Sequence, residues 1–384
     1  MPVYLDHAAS TPMRAEAVAA MLPFLAESPA NPSGIHGASR VAKTALEEAR
    51  ESVAAACGAE PGEVVFTGSG SEADNLAVKG AAYAARERRG LDGVVSTAIE
   101  HKAVLGAVAR LARDGFRVTL AGAGPDGCVD VDALAAALDE HTAVVSVMLV
   151  NNETGIVQPL RDVAEVVRRR APHAVLHTDA IQAPQWLDLR EHVAGADLVA
   201  ISGHKFGGPK GVGALIVRDG VQVIPLVEGG GHEQGRRAGT QNVAGIVALS
   251  TALSTTDANR PAEVGRIGAL RDRLEAGLRA TIDDLVVTGD RARRVPGTLH
   301  VAFPGIEAET LLVALDQRGI YAASGSACSS GAVDPSHVLL AMGIDRERAL
   351  SCVRFSLGYA SMADDVEAAI VEIPAAARQL VGAA

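Results

Sequence analysis

Two kinds of hydrophobic periodicity divide the chain. Between about residue 60 and residue 220, short β-branched and apolar runs alternate with stretches whose apolar positions recur at helical spacing. The runs Glu63–Thr67, Gly93–Ala98, Arg117–Ala121, Thr142–Val150, Ala174–Thr178, Leu198–Ser202 and Gly213–Val217 predict seven strands. Between several of them, Glu72–Arg89, Lys102–Arg113, Asp132–Asp139 and Leu160–Arg170 predict amphipathic helices. Strand–helix alternation at this spacing predicts an α/β domain, with a mostly parallel, buried sheet between layers of helices.

After residue 240 the texture changes. Helices are expected at Val243–Ser254 and Ala262–Ile282, then strands at Leu285–Thr288 and Thr298–Phe303. A helix at Ala308–Arg318, a strand near Val353–Leu357 and a closing helix at Ala363–Leu380 follow. The expected division is a large domain over 16–255 and a smaller α+β domain from 1–15 with 256–384. No Pro- or Ser-rich linker marks the boundary, and the chain shows no internal repeat.

Composition narrows the function classes. The 384 residues are 48% hydrophobic and 21% charged, an ordinary globular balance. The longest apolar run, Thr142 to Val150, falls far short of the ~20 residues that cross a bilayer. Asp6 and His7 stand where a signal peptide needs an apolar core, so a cytoplasmic, membrane-free protein is expected. The net charge is −11, and the basic clusters Arg86 to Arg89, Arg168 to Arg170 and Arg236–Arg237 are short, which argues against direct nucleic-acid binding. Cys57, Cys128, Cys328 and Cys352 form no CxxC pair, so zinc-knuckle and thioredoxin-like motifs are ruled out. Cys57 and Cys352 read as core residues, whereas Cys128 lies in a turn with room for exposure.

Three constellations carry chemistry, each at a predicted strand end. Ser202-Gly203-His204-Lys205 follows a buried run, and a lysine desolvated there is freed to form a Schiff base. His177-Thr178-Asp179-Ala180-Ile181-Gln182 ends another strand and offers an acid able to pair with a protonated pyridine nitrogen. Gly68-Ser69-Gly70-Ser71-Glu72-Ala73-Asp74-Asn75 joins a strand to a helix. Ser71 with Asp74 resembles a capping box there, and the free N–H groups make a phosphate cradle. Taken alone, each is more often a surface lysine, a capped turn or a plain helix start.

Together they occur in the order phosphate loop, acid, lysine. With Glu100-His101-Lys102 and Val150-Asn151-Asn152-Glu153-Thr154-Gly155, they resemble the cysteine desulfurases, in the class V aminotransferase family of fold-type I pyridoxal-phosphate enzymes. The resemblance extends to Tyr4-Leu5-Asp6-His7-Ala8-Ala9-Ser10-Thr11-Pro12, Asn31-Pro32-Ser33, Gly229-Gly230-Gly231-His232-Glu233, Arg237-Ala238-Gly239-Thr240, Ser324-Gly325-Ser326-Ala327-Cys328 and Arg354-Phe355-Ser356-Leu357-Gly358. It implies that Lys205 carries pyridoxal 5'-phosphate and moves protons at the substrate Cα. Asp179 would meet the ring nitrogen, Gln182 the ring hydroxyl, and His101 would stack on the ring. Gly70, Ser71, Ser202 and His204 would hold the phosphate, joined by Thr240 from a second copy in a homodimer. Asn152 and Arg354 would bind the substrate carboxylate, with Asn152 also near the cofactor.

The resemblance also implies that Cys328 takes sulfur from L-cysteine as a persulfide and hands it to an acceptor protein. That acceptor would serve iron–sulfur cluster, thio-cofactor or tRNA-thiolation chemistry. No metal site is expected beyond a transient iron–sulfur ligand role for Cys328. Its neighbours are Gly, Ser and Ala, with nothing bulky to bury a thiol against, so a mobile, exposed loop is expected. The span from Ser329 to Pro335 resembles the long-loop group of the family. His7 and Ser10 depart from the usual residues, and Ser71 stands for a usual threonine. A selenocysteine lyase and a small-substrate aminotransferase are competing readings that need no loop thiol as acceptor; a non-catalytic sulfur-assembly scaffold would need a decayed enzyme apparatus, whereas Lys205, Asp179, His101 and Cys328 are all present.

Overall fold

The computed structural model describes residues 2–324 and 334–381. A seven-stranded sheet is formed by β1 (Val64–Thr67), β2 (Gly93–Thr97), β3 (Arg117–Ala121), β4 (Thr142–Ser146), β5 (Val175–Asp179), β6 (Leu198–Ser202) and β7 (Gly213–Val217). The spatial order is β1-β7-β6-β5-β4-β2-β3. Only β7 is reversed, running antiparallel to β1 and β6, while the other pairs are parallel. The mostly parallel sheet expected from the alternation is therefore present.

Successive residues along a strand point to opposite faces, and both faces here are apolar. Val64, Phe66, Val199 and Ile201 pack in one layer, whereas Val65, Leu198, Ala200 and Leu215 pack in the other. The edge strand β3 is different, with Arg117, Thr119 and Leu120 exposed. Arg117 there pairs with Asp92 and Asp139, charges that discourage pairing with another chain.

The later part of the chain has its own sheet, in which Thr298–Ala302 lies antiparallel between Cys352–Ser356 and Val286–Val287. Leu299, Val301, Val353 and Phe355 face a second core with helix Ala363–Val381, while His300 and Arg354 point the other way. The N-terminal segment stitches the two parts together. Val3–Tyr4 pairs with Ile320–Tyr321 and Asp6 bridges Ser356, and then the Thr11 N–H donates to the His204 carbonyl at 3.0 Å.

Three expectations are corrected. One helix, Val243–Arg279, replaces the expected pair and runs through Pro261. Pro261 lies on an exposed face, where water can meet the carbonyl its missing N–H leaves free. Arg260 also braces that turn, with Asp257 at 2.7 Å and the Pro184 carbonyl at 3.0 Å. The strand expected over Thr142–Val150 ends as β4 at Ser146. Val147 and Leu149 still donate to the His177 and Asp179 carbonyls, at 3.0 and 2.9 Å. Cys128 is buried, because its turn folds back until the Sγ meets the Val157 carbonyl at 4.0 Å. Cys57 and Cys352 are core residues, and burial raises their thiols to about 12 and about 11.

Candidate active site

In an open α/β sheet, ligands bind beyond the carboxyl ends of the parallel strands. That edge here collects Ser69 and Gly70 after β1, His101 after β2, Met148 and Asn152 after β4, Asp179 from β5, Ser202 from the end of β6, and His204 and Lys205 after it. These residues line a cavity of about 740 Å³, together with Ser71, Gln182 and Arg354. Ten of the sequence-predicted site residues thus share one wall system. Thr240 is exposed and lies outside that lining. Cys328 falls outside the described residues. Ser324 lines the cavity just before it, and Ser336 and His337 hold on just after it. Ser336 Oγ donates to Glu153 Oε2, and His337 Nε2 lies 2.9 Å from the Glu100 carbonyl.

Lys205 sits in a desolvated corner. Its Nζ donates to the Ala8 and Ala9 carbonyls at 2.7 and 2.9 Å. Burial, then the nearby Arg354 charge, push its pKa down to about 8. Asp179 accepts from the Ile181 N–H at 2.9 Å. Burial raises its carboxyl above the usual range, opposed by His101 and Lys205. His101 exposes its ring to the cavity yet caps the next helix, where Nδ1 accepts from the Ala103 N–H at 3.1 Å. That bond leaves Nε2 as the protonated nitrogen of the neutral ring, and burial lowers the pKa.

The phosphate cradle forms where the chain turns from β1 into a helix. The cap is Ser69, whose Oγ accepts from the Glu72 N–H at 3.1 Å, so the expected Ser71–Asp74 box is corrected. This releases the Ser71 hydroxyl at the second helical position to face the cavity. Only glycine fits at Gly70, since a Cβ there would meet Ile181 Cδ1 at 2.3 Å and Ser202 Cβ at 2.9 Å. The helix starting there continues to Arg89 through a π turn at Leu76–Gly80.

At the other end, Arg354 donates through NH1 to the Asn152 carbonyl at 2.6 Å and through NH2 to Asp6 Oδ1 at 2.8 Å. Asn152 Oδ1 is buried and has no hydrogen-bond partner among the described residues. Gln182 Nε2 donates to the Ala8 carbonyl at 2.9 Å, and His204 Nδ1 lies 3.4 Å from Ser10 Oγ. Burial lowers His204 to about 4, so it is neutral.

Sequence reasoning assigned no role to Asp6 or to the Ala8 and Ala9 carbonyls, although it singled out their motif. Backbone carbonyls carry no side-chain signature, and their place follows from a strand pairing more than 300 residues away in sequence.

The residues fit pyridoxal phosphate: a helix N-terminus where only glycine fits, a buried acid, a lysine with a pKa lowered to about 8 and a cavity of the right size. Residues 3–369 match the family model described as "Aminotransferase class-V". "Cysteine desulfurase IscS" of Clostridium botulinum is 40% identical over 379 residues, covering 98% of this chain and 94% of that protein. "IscS-like cysteine desulfurase" of Mycobacterium tuberculosis is 42% identical over 382 residues, covering 97% and 95%. Among solved structures, a "NIFS-LIKE PROTEIN" superposes with a TM-score of 0.92 at 33% identity and covers all of both chains. The structure titled "SspA in complex with cysteine" gives a TM-score of 0.82 at 32% identity, covering 94% of this chain and 99% of that one. With a strand-end lysine and acid, a glycine-dependent cradle and a family match along nearly its whole length, the chain belongs to the class-V aminotransferases.

Proposed function

We infer that this chain is a pyridoxal-phosphate-dependent cysteine desulfurase, which converts L-cysteine and the Cys328 thiol into L-alanine and a Cys328 persulfide. The observation that carries this reading is the convergence of Lys205, Asp179, His101 and Arg354 on one cavity, which Ser324, four residues before Cys328, also lines. The cofactor would be held by Lys205, by Asp179 at the ring nitrogen, by His101 on the ring face, and by Gly70, Ser71, Ser202 and His204 at the phosphate. When bound, its ring supplies an electron sink for charge left at the substrate Cα.

The chain's own residues do the rest. Arg354 releases Asp6 and takes the substrate carboxylate, which fixes Cα over the site. The Lys205 amine takes a proton from Cα, a task suited to a pKa near 8 rather than an ordinary lysine's. The Cys328 thiolate bonds to the substrate sulfur as the Cβ–S bond breaks, and a proton returns to Cβ. The balance is one thiol in and one persulfide out. Among the described residues no other cysteine is accessible, since Cys57, Cys128 and Cys352 are all buried.

The reading includes a homodimer in which Thr240 of a second copy completes the phosphate end, supported by the exposure of Thr240 outside the lining. It also includes a sulfur-acceptor protein and a cytoplasmic setting. No helix among the described residues is long and apolar enough to cross a membrane. The proposed division into 16–255 and 1–15 with 256–384 is supported by separate apolar cores.

Cys328→Ser is the direct test. The variant keeps the cofactor's visible absorbance but makes no persulfide or sulfide from cysteine. Undiminished sulfide release in that variant refutes the assignment.

A further inference from the structure

Asp179 has a second acid close behind it, outside the cavity lining. Asp74 projects from helix Gly70–Asn75, is fully buried, and neither of its carboxyl oxygens has a hydrogen-bond partner among the described residues. An oxygen of Asp74, an oxygen of Asp179 and a ring nitrogen of His101 lie within 4.8 Å of one another. His177 stands behind, two residues before Asp179 on β5 and therefore on the same face of the strand. Its Nε2 is 3.5 Å from Asp74 Oδ1 and its Nδ1 is 2.9 Å from Ser146 Oγ. Glu100 completes the cluster, also fully buried, with Oε1 accepting from Thr97 Oγ1 at 2.9 Å and from the Met148 N–H at 2.8 Å.

An ionised carboxylate removed from water needs a cation or several donors. Asp74 meets neither among the described residues. The basic side chain beside it, His177, is kept neutral by burial, with a pKa lowered to about 3. Lys205 and His101 face Asp179. Burial, then Asp179 and Glu100, raise Asp74 well above the usual carboxylate range, and burial lifts Glu100 to about 8. An un-ionised Asp74 directs its hydroxyl toward His177 Nε2, 3.5 Å away, with His177 Nδ1–H directed at Ser146 Oγ at 2.9 Å.

We propose that Asp74 is a positioning residue for the cofactor's ring nitrogen: an un-ionised acid, chained through His177 to Ser146, that backs Asp179 and leaves it the charged carboxylate at that point. The proposal rests on the reading that the cavity holds pyridoxal phosphate. Asp74 does not touch the substrate. It keeps a second negative charge away from the ring while holding a polar wall behind Asp179.

The test uses the holoenzyme and reads the pH titration of its visible absorbance together with the cofactor dissociation constant. Asp74→Asn replaces one neutral donor with another, so the titration is expected to stay within about half a pH unit of the native protein. Were Asp74 ionised, loss of a buried charge beside Asp179 would move the titration, so a shift of about one pH unit or more overturns the proposal. Asp74→Leu removes the donor, and cofactor binding at least tenfold weaker is expected. A Leu variant that binds like the native protein makes Asp74 a space-filler and also overturns it. If the Leu variant does not fold, the infrared difference between native and Asp74→Asn holoenzyme decides: a protonated-carboxyl band lost in the variant supports the proposal, and its absence overturns it. A native protein that takes up no cofactor at all defeats the underlying reading instead.

Discussion

Lys205 shows how much a single desolvated position accomplishes. An ordinary lysine near 10.4 is almost wholly protonated at neutral pH, and burial with Arg354 nearby brings this one to about 8. The uncharged, nucleophilic fraction at pH 7 rises by roughly two orders of magnitude. Cofactor capture by the apoprotein should therefore accelerate as pH rises from 6 to about 8 and then level off, as followed by stopped-flow absorbance. Capture that keeps accelerating to pH 10 would mean an unperturbed amine. Arg354→Leu removes the like charge, so the plateau should move to higher pH.

At the scale of elements, the loop from Gly229 to Thr240 depends on one ion pair. Glu233 and Gln234 hold φ of 48° and 58°, a left-handed region that side chains avoid. The compensation is buried: Glu233 Oε2 lies 2.9 Å from Arg50 NH1 and accepts from the Phe66 N–H at 2.9 Å. The side chains of Arg50 and Glu233 are only 8% and 1% exposed, so Glu233→Ala strands a buried guanidinium. A loss of about 3–5 kcal/mol is expected in denaturant unfolding, since breaking one partner of a buried pair is far worse than losing a surface one. A loss below ~1 kcal/mol would place the pair in solvent.

The same scale explains what the sequence made legible. Lys205, Asp179 and His101 were readable because strand–helix alternation locates strand ends, and a strand end is where chemistry collects in this architecture. The continuous helix Val243–Arg279 was not readable, because Pro261 is an ordinary stop signal and its bracing by Arg260 is a tertiary fact. Cys128 was misread for a related reason: a turn looks exposed until the chain that covers it is known. The Ser69 cap was missed because Ser69 and Ser71 both suit that position, and only the hydrogen bond to the Glu72 N–H separates them.

For the whole molecule, buried titratable groups set opposing pH dependences. His7, His177, His204 and His300 have pKa values lowered to between about 3 and about 4, so the fold keeps them neutral. The unfolded chain protonates near 6.5, so their contribution is complete above that pH and is lost as pH falls toward 4. Glu153 and Glu100 are shifted the other way, to about 7 and about 8. Their unfolded counterparts ionise near 4.5, so they weaken the fold as pH rises through the range up to 8. Above 6.5 only the acids still act. The apoprotein should lose stability between pH 6.5 and 8, on the order of 2 kcal/mol from Glu100 alone. Urea unfolding at the two pH values measures this, and Glu100→Gln should flatten the difference. An unchanged slope in that variant would assign the effect elsewhere.

The N-terminal stitch has a bearing on biosynthesis. The carbonyls that receive the Lys205 amine come from Ala8 and Ala9, yet the segment carrying them is held by Ile320, Tyr321 and Ser356. On the ribosome, these early residues emerge hundreds of codons before the partners that fix them. Residue 356 must be translated before the lysine's resting berth exists, so a growing chain has its sheet long before it has a working pocket.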